Sequence, residues 1–61
     1  PINWKQQKEL AIAEVEQAFL KDSLQQHQGS IKEIASSMEI STRAVYTKLK
    51  KYQINPDHYR N

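Results

Sequence analysis

The sequence predicts an all-α fold, a long amino-terminal helix followed by a helix-turn-helix, and three observations carry that prediction. Only one glycine and two prolines interrupt 61 residues, and each stands at or near an expected break. Apolar side chains recur at helical spacing through residues 10–24. In residues 29–52, Ile31, Ile34, Ala35 and Met38 form one short helical stripe, Ile40 falls in a turn, and Val45, Leu49 and Tyr52 form a second stripe that can face the first.

The first helix is expected over about 4–27. Asn3 can cap it with Gln6 three positions on, and Gly29 can end it; a break near residues 6–9 fits the same pattern. This helix carries more apolar surface than one contact needs. At about 100° per residue, Ile12, Val15 and Phe19 gather on one side, and Leu10, Ala13, Leu20 and Leu24 lie a third of a turn or more away. One set can close over the helix-turn-helix, and the other then needs a partner helix. We assign Leu10, Ala13, Leu20 and Leu24 to a dimer contact, although periodicity leaves open which set faces which way. A single broad core face is the alternative. Trp4 fits either a dimer contact or a loosely held end.

Ser30 is expected to cap the second helix, with Glu33 completing a Ser-x-x-Glu capping box. Ala35 supplies the small side chain that lets two helices cross closely. Ser41 opens the third helix, which should stop near Gln53 ahead of Pro56, so the helix-turn-helix spans about 30–52 and 53–61 is a tail.

A single domain of this length has a marginal core unless something supplements it. Cysteine is absent and the two histidines, His27 and His58, are far apart, so neither disulfides nor a metal cluster is expected. That leaves oligomerisation. No apolar run approaches a membrane span and no signal-peptide pattern opens the chain, so a soluble, cytoplasmic protein with no membrane partner is expected. Pro1 in place of methionine fits a piece of a longer protein, or processing or a chosen boundary. No glycine-rich phosphate loop, nucleophile or acid–base pair stands out, so we expect neither enzyme activity nor a cofactor.

Charge is unevenly spread. Residues 1–40 carry four lysines against six carboxylates, net −2, whereas residues 41–61 carry five basic residues against one aspartate, net +4. A basic third helix held out by its own apolar back suits a phosphate-lined groove, so double-stranded DNA is the expected partner. With Val45 and Leu49 facing inward, the outer side centres on Thr47, flanked by Arg43, Lys50 and Lys51. Arg43 is the candidate for a base edge, because its planar fork can bond guanine bidentately; a phosphate contact is the alternative. Thr42 and Thr47 suit a thymine methyl or a phosphate. Lys48, Lys50 and Lys51 suit phosphates, with at least one expected to be merely solvated. Ser30, Lys32 and Ser41 stand at helix starts, where a phosphate can meet backbone amides. Tyr46 can reach the DNA backbone or cover the core, and His27 reads as a surface residue.

The residues Val15-Glu16, Phe19-Leu20, Ser23-Leu24, Gly29-Ser30, Ile34-Ala35, Ile40-Ser41 and the run Tyr46-Thr47-Lys48-Leu49-Lys50-Lys51-Tyr52-Gln53-Ile54 resemble the Fis-type helix-turn-helix. That module ends the NtrC-like activators of sigma-54 RNA polymerase and forms the core of the nucleoid protein Fis. The resemblance implies a homodimer, joined through the helix before the motif, on an inverted-repeat enhancer site in the bacterial nucleoid. It also implies sigma-54 RNA polymerase as a partner through upstream domains. A free-standing DNA-bending protein and a helical protein–protein adaptor are the alternatives. Three departures stand out. Glu39 and Gln53 replace family glycines, with a left-handed backbone implied at the turn held by Glu39. Thr42, with Arg43 next, stands where the family commonly has arginine.

Overall fold

The computed structural model describes residues 3–60. Three helices, α1 (Trp4–Gln26), α2 (Ile31–Met38) and α3 (Thr42–Lys51), are followed by a short 3-10 turn at Pro56–Tyr59. Among the described residues there is no strand.

Side-chain caps set the helix starts. The Asn3 carboxamide accepts from the Gln6 amide at 2.8 Å while the Gln6 side chain accepts from the Asn3 amide at 3.4 Å, a complete capping box. Ser41 Oγ accepts from the Ala44 amide at 3.1 Å. Ser30 Oγ accepts from the Glu33 amide at 3.5 Å, but the expected reciprocal half of that box is replaced. The Ser30 amide donates instead to the His27 carbonyl at 3.1 Å, and the Glu33 carboxylate lies 3.1 Å from His27 Nδ1. His27 is therefore half-buried and joins α1 to α2. Helix α1 runs without the break considered near residues 6–9, and α3 stops at Lys51, two residues before the expected Gln53.

All three helices end in the same way. Gln28, Glu39 and Gln53 adopt left-handed backbone, with φ of 54°, 58° and 56°. The next amide in each case reaches back to the helix, from Gly29 to Leu24 at 2.8 Å, Ile40 to Ala35 at 3.0 Å and Ile54 to Leu49 at 2.9 Å. These are Schellman ends, and a glycine normally takes the left-handed position because a Cβ there is strained. Glu39→Gly and Gln53→Gly are each expected to raise stability by up to about 1 kcal/mol, or roughly 4–8 °C in Tm for a domain of this size. Thermal unfolding checks this. A clear loss of stability in either variant would mean the side chain contributes more than its backbone strain removes.

The core comprises Leu20 and Leu24 of α1, Ile31, Ile34 and Ala35 of α2, Val45 and Leu49 of α3, and Ile54 after them. Met38, Ile40, Tyr52 and Tyr59 pack around its edge. Ala35, only 4% exposed, lies in the core that α2 and α3 share. This arrangement corrects the assignment of Leu20 and Leu24 to a dimer contact: both are completely buried in the chain's own core. The physical reason is position along the helix, since α2 and α3 cover only the carboxy-terminal half of α1. Leu10 is exposed and Ala13 half-buried beyond that cover, and Ile12, Val15 and Phe19 are exposed on the other side. Every residue from Trp4 to Ile12 is exposed, and the molecule measures 43 × 21 × 17 Å.

Gly29 shows why a glycine is needed at that bend. Its φ is 81°, and a Cβ there would lie 3.0 Å from the Pro56 carbonyl oxygen and would collide with the Arg60 side chain. The tail thus folds back over the α1–α2 turn, where Arg60 Nε donates to the Gly29 carbonyl at 3.2 Å.

Candidate nucleic-acid interface

Burial of Val45 and Leu49 turns the opposite side of α3 outward, so Arg43, Thr47, Lys50 and Lys51 are all exposed. The side chains of Arg43 and Lys50 take part in none of the ion pairs among the described residues. Between them, the Thr47 hydroxyl donates to the Arg43 carbonyl at 3.0 Å. Its proton is therefore committed within the helix, which leaves its methyl group and oxygen lone pairs for a ligand. Lys51 Nζ lies 5.4 Å from the centre of the Tyr52 ring and so leans toward α1.

Lys48 stands apart from this group. Its ammonium bonds Glu16 of α1 at 2.5 Å, and the Tyr52 hydroxyl donates to the other oxygen of the same carboxylate. These bonds hold Glu16 below the usual carboxylate range, with Lys48 the larger cause and Tyr52 next, against a smaller opposing effect of burial. Donating that bond to the carboxylate raises the Tyr52 phenol above its ordinary value. Lys48 is thus half-buried and braces α3 against α1, contrary to the expectation of a phosphate-facing lysine. Because the folded state lowers the Glu16 pKa, its contribution is present above the unfolded value and lost as pH falls through the folded one. Glu16→Gln is expected to destabilise by about 1 kcal/mol near neutral pH and by less in acid. Urea unfolding across that range reads the difference. A Glu16→Gln loss that does not shrink with falling pH would overturn this account.

The remaining expected residues gather on the other flank of α3. Ser30 and Lys32 at the start of α2 and Thr42 and Tyr46 on α3 line one shallow concavity, together with Gln28, Gly29, Ile31 and Arg60. Tyr46 is half exposed there, so it does not cover the core. Ser41, Arg43, Thr47 and Lys48 border a second shallow hollow. The outward face of α3, with its arginine and lysines, and the start of α2 with Lys32 beside it form a ridge suited to a groove flanked by phosphates. Arg60 was missed in sequence, because nothing in its local run signals that the tail returns to the α1–α2 turn.

Residues 11–52 match the profile of the bacterial regulatory proteins of the Fis family. The chain belongs to the Fis family. The Fis-family match covers α2, α3 and the turn between them, which are the helix-turn-helix of a DNA-binding domain. The family is a DNA-binding regulatory one and not an enzyme family. Over 49 residues the chain is 33% identical to the phosphoglycerate transport system transcriptional regulatory protein PgtA of Salmonella typhimurium. The aligned stretch is 80% of this chain and 12% of that protein. No solved structure matches the chain. No helix among the described residues is long and apolar enough to cross a membrane.

Proposed function

We propose that residues 1–61 are the DNA-binding module of a bacterial sigma-54-dependent transcriptional activator, acting as a homodimer on an inverted-repeat enhancer site in the nucleoid. The observation that carries the DNA-reading part is the outward face of α3, where Arg43, Thr47 and Lys50 are exposed on a helix whose back is fixed in the core. On this reading Arg43 meets a base edge, Thr42 and Thr47 approach the groove floor, and Lys32, Lys50 and Lys51 meet phosphates, with Ser30, Ser41 and Tyr46 adding backbone contacts.

The homodimer is supported by the exposed apolar stripe of α1, with Trp4, Ile12, Val15 and Phe19 in water on a single chain, and by Leu10, exposed on the other side of the helix. The activator role is supported by the run Tyr46–Ile54, which resembles the module of NtrC-like activators, and by a relative that is itself a much longer transcriptional regulatory protein.

Salt titration on duplex DNA tests the reading. Lys50→Ala is expected to weaken binding to all duplexes alike and to flatten the log affinity against log salt slope by about 0.9. Lys48→Ala should leave the slope unchanged while lowering stability, because its partner is Glu16. Binding without a salt slope would overturn the assignment and favour a protein partner.

A further inference from the structure

The tail lies outside the family match, yet it carries a cation to the flank of the ridge. Ile54 is buried in the core and Tyr59 packs at its edge, so the 3-10 turn between Pro56 and Tyr59 is anchored at both ends. The turn is built by its own sequence: Asn55 Oδ1 accepts from the Asp57 amide at 3.0 Å and Pro56 opens the first position. Arg60 follows, and its guanidinium is held from two sides. Nε donates to the Gly29 carbonyl, and an Nη hydrogen bonds the Asp57 carboxylate at 2.5 Å. The aliphatic part of Arg60 fills the space that the missing Cβ of Gly29 leaves.

The result is a concavity with one wall from the tail, one from the start of α2 and one from α3. Lys32 and Arg60 supply its positive charge, and Thr42 and Tyr46 face it with hydroxyls. The nearby Glu33 carboxylate is turned away to His27. Asp57 is the acidic group that meets Arg60, and it does so at the surface.

We propose that Arg60 is a DNA-backbone contact: a phosphate of the bound duplex takes the place at its guanidinium that Asp57 occupies in the free chain. A phosphate and a carboxylate present similar oxygens to an arginine fork, so the exchange keeps the guanidinium paired throughout. Nε stays on Gly29, which keeps the fork aimed, and Asp57 acts as an internal competitor for it. The proposal rests on the placement of duplex DNA along α2 and α3 given above, and it adds a third segment to that interface.

The test uses the 61-residue chain. Binding is measured against a duplex that the chain enriches from a random library and against a scrambled duplex of the same composition. Arg60→Ala should weaken both similarly and reduce the salt slope by about 0.9, so that its deficit shrinks about 3.5-fold between roughly 50 and 200 mM salt. Arg60→Lys should keep most of the slope. Asp57→Ala should tighten binding several-fold, and that gain should vanish when Arg60 is already alanine. Circular dichroism establishes that each variant is folded, and if Arg60→Ala unfolds the chain, the lysine variant and Asp57→Ala decide. An unchanged slope in Arg60→Ala, or an Asp57→Ala gain that persists without Arg60, overturns the proposal. If Lys50→Ala loses slope in the same series and Arg60→Ala does not, the ridge still binds DNA and only the role of Arg60 fails. Absence of salt-dependent binding by the unaltered chain overturns both.

Discussion

Truncating Leu24 to alanine is expected to destabilise the protein by about 2–5 kcal/mol, which removes most or all of the stability a domain of this size holds. Leu24 is completely buried against α2 and α3, so the loss combines the transfer free energy of its methyl groups with the cavity they leave. The opposite side of α1 should respond differently. Val15 and Phe19 are 69% and 44% exposed, and replacing both by glutamate should leave the helical content of a single chain intact while abolishing self-association. Sedimentation equilibrium and thermal unfolding over a concentration series check both halves, because a dimer has a concentration-dependent Tm. A stable folded monomer of the unaltered chain at high micromolar concentration would overturn the dimer, and a folded Leu24→Ala protein of unaltered Tm would contradict the core.

Arg43→Ala is expected to weaken binding to the selected site by roughly 1–3 kcal/mol and to change binding to a scrambled duplex far less. The side chain projects from the first turn of α3, exposed and without an acidic partner among the described ion pairs, so its fork is available to a guanine edge. Parallel titrations on the two duplexes separate the outcomes. Equal losses on both would assign Arg43 to phosphates and leave Thr42, Thr47 or the shape of the DNA as the source of discrimination.

Local chemistry was legible in the sequence wherever a few neighbouring residues decide it. The caps at Asn3, Ser30 and Ser41 and the facing stripes of α2 and α3 follow from short-range patterns, whereas the left-handed residue at Glu39 was implied by the family resemblance alone. Long-range pairing was not legible. Both sides of α1 are apolar, so periodicity alone cannot tell that Leu20 and Leu24 close the core; that depends on where α2 and α3 lie along the helix. Lys48 finds Glu16 across 32 positions and Arg60 finds Gly29 across 31, and neither pair announces itself locally. The same limit explains Glu33, whose capping-box role was displaced by a histidine brought close by the preceding turn.

Helix α1 serves two surfaces without a joint between them. Phe19, exposed, and Leu20, buried, are adjacent residues on one continuous helix, so the outer stripe and the grip on the reading head share a single rigid shaft. Two copies joined along that stripe would behave as a crank with fixed throw. Sliding one shaft past the other by a helical turn moves its reading head by about 5.4 Å, roughly one and a half base-pair steps of about 3.4 Å. Operator spacing would then be accepted in discrete increments and rejected between them, a ratchet-like selectivity that a flexible hinge between the two surfaces would erase.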